Sequence, residues 1–172
     1  MNQKDKIDEL IKKAESSKSH GFDLKSDEDL SIAIMNLISI EEHFFFTGSK
    51  TGDKKYFNLL DEARKIRTEL MKKLVKNPEG ENWCICKHLL ATSMRLIEVG
   101  NKLLKNKEKK QAYEMYEKAF KLYSLFWGIN MGAVNTKDIK KIDENAINKK
   151  QSAGLWGKLK TLVQKVIDCC IE

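Results

Sequence analysis

The stretch that most restricts how this chain can fold is residues 83–127. Its first half, WCICKHLLATSMRLIEVGNKLL, turns about 100° per residue if it is helical. Cys86, Leu89, Leu90, Ser93, Leu96, Ile97, Gly100, Leu103 and Leu104 then share one face, while Cys84, His88, Ala91, Arg95 and Glu98 lie on or near the other. The second half, EKKQAYEMYEKAFKLYSLFW, gathers Ala112, Met115, Tyr116, Ala119, Leu122, Tyr123 and Phe126 on one face. Two broad apolar stripes joined by a tight turn at 105–107 predict a helical hairpin. Small residues at Ser93, Gly100, Ala112 and Ala119 let its two backbones approach closely.

Leu96, Val99, Gly100, Leu103, Ala112, Tyr116 and Ala119 carry a spacing that resembles the tetratricopeptide motif: a large residue, Leu-Gly, an aromatic, then Ala, aromatic, Ala. The resemblance covers residues 93–126, with Leu96 where that family has Trp and Ser124 where it has Pro. It implies a hairpin scaffold that binds peptides or partner proteins.

Upstream, the same periodicity returns. Ile7, Leu10, Ile11 and Ala14 mark a short N-terminal helix within residues 1–22. Ser26 with Asp27, Glu28 and Asp29 reads as a helix start. That helix is expected to reach about Thr47, burying Leu30, Ala33, Ile34, Leu37, Ile40, Phe44 and Phe45, with a turn at 48–52. A third helix, about 53–76, turns Tyr56, Leu59, Leu60, Ala63, Ile66, Leu70 and Leu74 inward before Pro78 and Gly80 end it. A shift of about 56 residues sets Glu42 on Glu98, Ala63 on Ala119 and Lys65 on Lys121, a faint internal duplication. Short connections force antiparallel neighbours. The expected architecture is all-α: an antiparallel up-down four-helix bundle of two hairpins over residues 26–128. A linker at 129–150 and an amphipathic C-terminal helix at 151–172 follow.

Composition agrees. The 172 residues hold one Pro and nine Gly, and 33% are charged, which favours helices and is enough chain for a core without disulfides. The net charge of +7 comes from dispersed Lys. No aromatic-interleaved basic patch marks a nucleic-acid reader. Residues 1–10 are polar and charged, unlike a secretory leader, so cytoplasm is the expected compartment and the four Cys are expected to be reduced.

Catalytic and metal constellations are hard to assemble. Cys84 and Cys86 point about 200° apart on a helix, and Cys84 with His88 supplies too few ligands for structural zinc. Glu41, Glu42 and His43 lack the spacing of a di-iron carboxylate site. No nucleophile triad, phosphate loop or dinucleotide fingerprint appears. No catalytic residue, metal or cofactor is expected.

Charge on an apolar stripe is more informative. Glu41 lies in the stripe of Leu37 and Phe44, and Arg67 in that of Ala63 and Leu70. An unpaired buried charge is very costly, so each is expected to find partners in a polar cluster with Ser93, Tyr116 and Tyr123. In the tail, Leu155, Trp156, Leu159, Leu162, Val163, Val166 and Ile167 form an apolar stripe flanked by Lys158, Lys160 and Lys165. The leading expectation is a non-catalytic protein-interaction or scaffold module with the tail as a contact element. The alternatives are a peripheral membrane protein anchored by the tail, and a small-ligand or enzymatic bundle using the Glu/Arg/Tyr cluster.

Overall fold

A computed structural model describes residues 24–76, Pro78 and residues 81–134. It also describes Asp5, Asp8, Glu9 and Lys12, which are helical, while Ile7, Leu10, Ile11 and Ala14 of the expected N-terminal stripe lie outside the described residues. The expected linker beyond Val134 and the expected C-terminal helix, with Leu155, Trp156, Leu159, Leu162, Val163, Val166 and Ile167, lie outside the described residues.

The described chain is all-α: α1 (Leu24–Thr51), α2 (Lys55–Leu74), α3 (Asn82–Lys105) and α4 (Lys109–Asn130), with no strand among the described residues. They form a bundle of two antiparallel hairpins. The tightest packing is within each hairpin, and α1 against α3 is the main contact between them. The core gathers where α1 and α3 begin and α2 and α4 end, around Ile34, Met71, Leu74, Cys86, Leu90 and Phe126. Polar bonds lock that end. Asn130 of α4 accepts the Lys76 N–H through Oδ1 at 3.0 Å and donates Nδ2–H to the Leu74 carbonyl at 3.1 Å, closing the end of α2. Lys76 also pairs with Asp27 of α1 at 3.0 Å.

The first turn differs from expectation, whereas the second falls at 106–108, as expected. α1 continues through Gly48 to Thr51, and the chain reverses only at Gly52, whose φ is +70°. Gly48 is a packing residue instead. A Cβ there would sit 3.0 Å from the Phe57 ring. The second turn ends α3 in a Schellman motif, with Glu108 N–H bonded to the Leu103 carbonyl at 2.9 Å and Lys107 N–H to that of Leu104 at 3.0 Å. Lys107 takes the left-handed conformation, φ 65°, usually left to glycine. α4 extends past Trp127 to Asn130, because Ile129 and Ala133 still find buried positions.

The inward stripe of the first hairpin is also shifted. Ala33, Ile40 and Phe45 of α1 and Leu59 and Ile66 of α2 are exposed. The buried arc of α1 is instead Ser31, Ile34, Met35 and Ile38, continuing to Glu41 and Glu42. Apolar residues surround this helix on nearly every side, so hydrophobicity alone does not fix its rotation. The two glutamates do, because their arginine partners sit on α2 and α3.

Candidate functional site

Glu41 lies on α1 about two turns beyond the core residue Ile34, facing α2. Arg67 of α2 is 2% exposed. Its guanidinium grips the carboxylate with two donors, Nε–H to Oε1 at 2.5 Å and Nη2–H to Oε2 at 3.3 Å. Such a two-pronged arginine–carboxylate fit is among the stronger hydrogen-bond pairs. Arg64, half exposed one turn before, donates Nε–H to Oε2 at 3.2 Å. Nη1 of Arg67 contacts the Met71 sulfur at 3.7 Å. The site is therefore one carboxylate between two arginines on the same face of α2.

The other members of the expected cluster stand apart from it. Ser93 is buried and donates to the Leu89 carbonyl on its own helix at 2.7 Å. Tyr116 donates its hydroxyl to Asn101 Oδ1 at 2.7 Å across the α3/α4 hairpin. Tyr123 meets Ser31 Oγ at 2.6 Å. Ser31 spends its single proton on the Glu28 carbonyl at 2.7 Å, so Tyr123 is the donor, tying α4 to α1. No described hydrogen bond joins Ser93, Tyr116 or Tyr123 to the Glu41 and Arg67 pair. The reason is rotational: Glu41 faces α2, whereas Ser31 and Met35 carry the face of α1 that meets α3 and α4. The sequence reading also passed over Ser31 and Arg64. Ser31 was legible as a fourth-position neighbour of Met35, since both fall on the Ile34 side of the helix.

What Ser93, Tyr116 and Tyr123 do share is a groove of ≈ 270 Å³ between α1 and the second hairpin. Ile32 and Met35 form one wall, Ile97 the floor and Phe120 the far rim, with Glu28 at the mouth. Phe120 is 71% exposed. Further along α1 a separate recess against α3 is polar. There Arg95 of α3 pairs with both Glu42 of α1 and Glu98 of its own helix, beside His43 and Lys50, around a volume of ≈ 310 Å³.

The start of α3 is enclosed on all sides. Cys84, placed on the outer face by helical counting, is buried like Cys86, and Trp83 and Ile85 are half-buried. His88 is exposed. Burial pushes the Cys86 thiol up to about 11, which keeps it protonated and unreactive at neutral pH. Among the described residues, no three His, Cys, Asp or Glu side chains converge as metal ligands would. Exposed carboxylates and lysines shift only by pairing. The Lys55 side chain holds Asp53 below the usual carboxylate range, and Lys121 does the same to Glu117. No family model, no curated protein and no solved structure matches the chain.

Proposed function

We propose that this chain is a non-catalytic protein-interaction module whose receiving site is the groove between α1 and the α3/α4 hairpin. One observation carries the reading: α1 borders two neighbouring recesses, an apolar one around Ile32, Met35, Ile97 and Phe120 and a charged one around Glu42, Arg95 and Glu98. An amphipathic helix of a partner protein, with large apolar side chains near one end and polar ones near the other, matches that division. The apolar part, ≈ 270 Å³ and open, falls just short of the ~300–1,000 Å³ of typical small-molecule sites. It suits one or two side chains of a larger ligand better than a whole cofactor. An aromatic rim as exposed as Phe120 is the type of residue that anchors protein interfaces. The tetratricopeptide-like spacing of residues 93–126 supports the same reading.

A photo-crosslinking phenylalanine analogue at position 120, introduced in the native cell, tests it. Lys65, exposed on the far side of α2, is the control position. The expected result is a discrete protein adduct from position 120 and none from 65. The purified partner should then lose at least tenfold in affinity for Phe120→Ser. No adduct, or affinity untouched by that substitution, overturns the reading.

A second reading, attachment to a membrane surface, draws on one further observation. The Ser26–Thr51 stretch is long and apolar enough to cross a bilayer, yet only 17% of its apolar window is buried. Flotation with anionic liposomes, with and without residues 150–172, separates this reading from the first.

A further inference from the structure

The outer face of α1 reverses the usual order of a surface helix. From Leu30 to Ser49 the sequence contains only two charged residues, Glu41 and Glu42. Glu41 turns inward to Arg67, and Glu42, 40% exposed, pairs with Arg95 at the edge of α3. The side facing solvent carries Ile32, Ala33, Asn36, Ile40, His43 and Phe46, all exposed, with Ile32 at 45%, Ile40 at 41% and Phe46 at 50%. By contrast, the solvent faces of α2 and α4 are dense in Lys and Glu. Asn36 donates Nδ2–H to the Ile32 carbonyl one turn back at 3.0 Å, and its Oδ1 accepts no hydrogen bond among the described residues. A helix of 28 residues with a charge-free outer stripe is built to be covered.

The charges at the two ends of the stripe indicate what covers it. Asp29 stands at its beginning and Lys50 at its end, both exposed, and neither joins an ion pair among the described residues. We propose that α1 pairs antiparallel with the α1 of a second copy of this chain, about a two-fold axis passing between Ser39 and Ile40. That axis sets Asp29 against Lys50, Ile32 against Thr47 and Asn36 against His43 of the second copy, and each pairing occurs twice, as an isologous interface demands. Asp29 and Asn36 lie on the side of α1 away from α2 and α3, while Ile32, His43, Thr47 and Lys50 stand on the rim of the recesses beside α3. The free Oδ1 of Asn36 meets a ring N–H of His43. A single polar residue within an apolar helix seam fixes register and orientation in this way. Ser39 beside the axis leaves room for close approach of the two helices. The self-complementarity of opposite end charges favours a second copy over an anionic bilayer, which the acidic end would oppose. This inference shares Ile32 with the groove reading, but its readout, the mass of the chain alone, fails or holds independently of partner capture at Phe120.

Light scattering coupled to size exclusion on the full chain, at about 100 µM, is the test. The expected mass is twice the 19.9 kDa of one chain. Ile40→Asp places like charges beside the axis and should return the protein to monomer with an unchanged circular dichroism spectrum. Asp29→Lys should weaken the dimer at least tenfold, and Asp29→Lys combined with Lys50→Asp should restore it. That rescue keeps the test decisive if Ile40→Asp disturbs folding. A monomeric wild-type chain overturns the proposal, whether or not it binds vesicles or another protein. So does a dimer indifferent to Ile40→Asp and to the charge exchange.

Discussion

The two hairpins are built from the same kind of helix yet held together by different means. α3 and α4 approach through small residues. Ala112 and Ala119 are buried, and the Tyr116 ring lies flat on Gly100, so close that a Cβ there would come within 2.5 Å of it. α1 and α2 are joined by Glu41 between Arg67 and Arg64, and toward their turn they leave Phe45, Phe57, Leu59 and Ile66 exposed. Close packing gathers many dispersion contacts and fixes one arrangement. An ion pair fixes rotation, but it adds little net stability once its desolvation is counted. The second hairpin is thus the base of the molecule. The first is oriented on it and presents apolar surface outward.

The largest effect should come from breaking the polar hinge of the first hairpin. Glu41→Ala leaves the Arg67 guanidinium, 2% exposed, without its carboxylate and should cost about 3–5 kcal/mol in urea unfolding. Replacing both together, Glu41→Leu with Arg67→Met, should cost far less. If the double variant is as unstable as the single one, the pair does more than set rotation.

The glycines sharpen the comparison. Gly100→Ala forces Tyr116, anchored by its bond to Asn101, out of place. Overpacking costs about 1–3 kcal/mol against about 1 kcal/mol returned by the better helix former, so a net loss of up to about 2 kcal/mol is expected. Gly48→Ala faces the Phe57 ring at 3.0 Å, which is 40% exposed and can swing away, and the Tyr56 Cβ at 3.2 Å, which moves only with α2. It should cost distinctly less than Gly100→Ala. Equal losses at both glycines would show that the hairpins are packed alike.

A small effect of the opposite sign concerns the turns. Lys107→Gly relieves a left-handed residue and should raise stability by about 1 kcal/mol, without altering the exchange behaviour of the first hairpin.

Much of this was legible in the sequence. The helical period of residues 83–127, the small residues between their stripes and the short connections carried the all-α hairpin architecture. Glu41 and Arg67 stood out as charges on apolar stripes, and they meet. The rotation of α1 was not legible, because Ile, Phe, Met and Leu occur all around it and no stripe is unique. Its inward face is chosen by Arg67 and Arg95, residues distant in sequence. The same ambiguity joined Ser93, Tyr116 and Tyr123 to a cluster they do not enter. Axial level follows from counting residues, whereas the direction a side chain takes between two neighbouring helices depends on how those helices cross. Gly48 was misread as a turn because a glycine within a helix looks the same, in sequence, whether it ends the helix or admits a ring.

Native-state hydrogen exchange tests the division between base and contact surface most directly. The account predicts that amides of α3 and α4 around Leu90, Ser93, Ala119 and Phe126 exchange only through global unfolding. Those of residues 44–60, at the turn of the first hairpin, should open at a distinctly lower free energy. Uniform protection across both hairpins, or greater protection in residues 44–60, would contradict it.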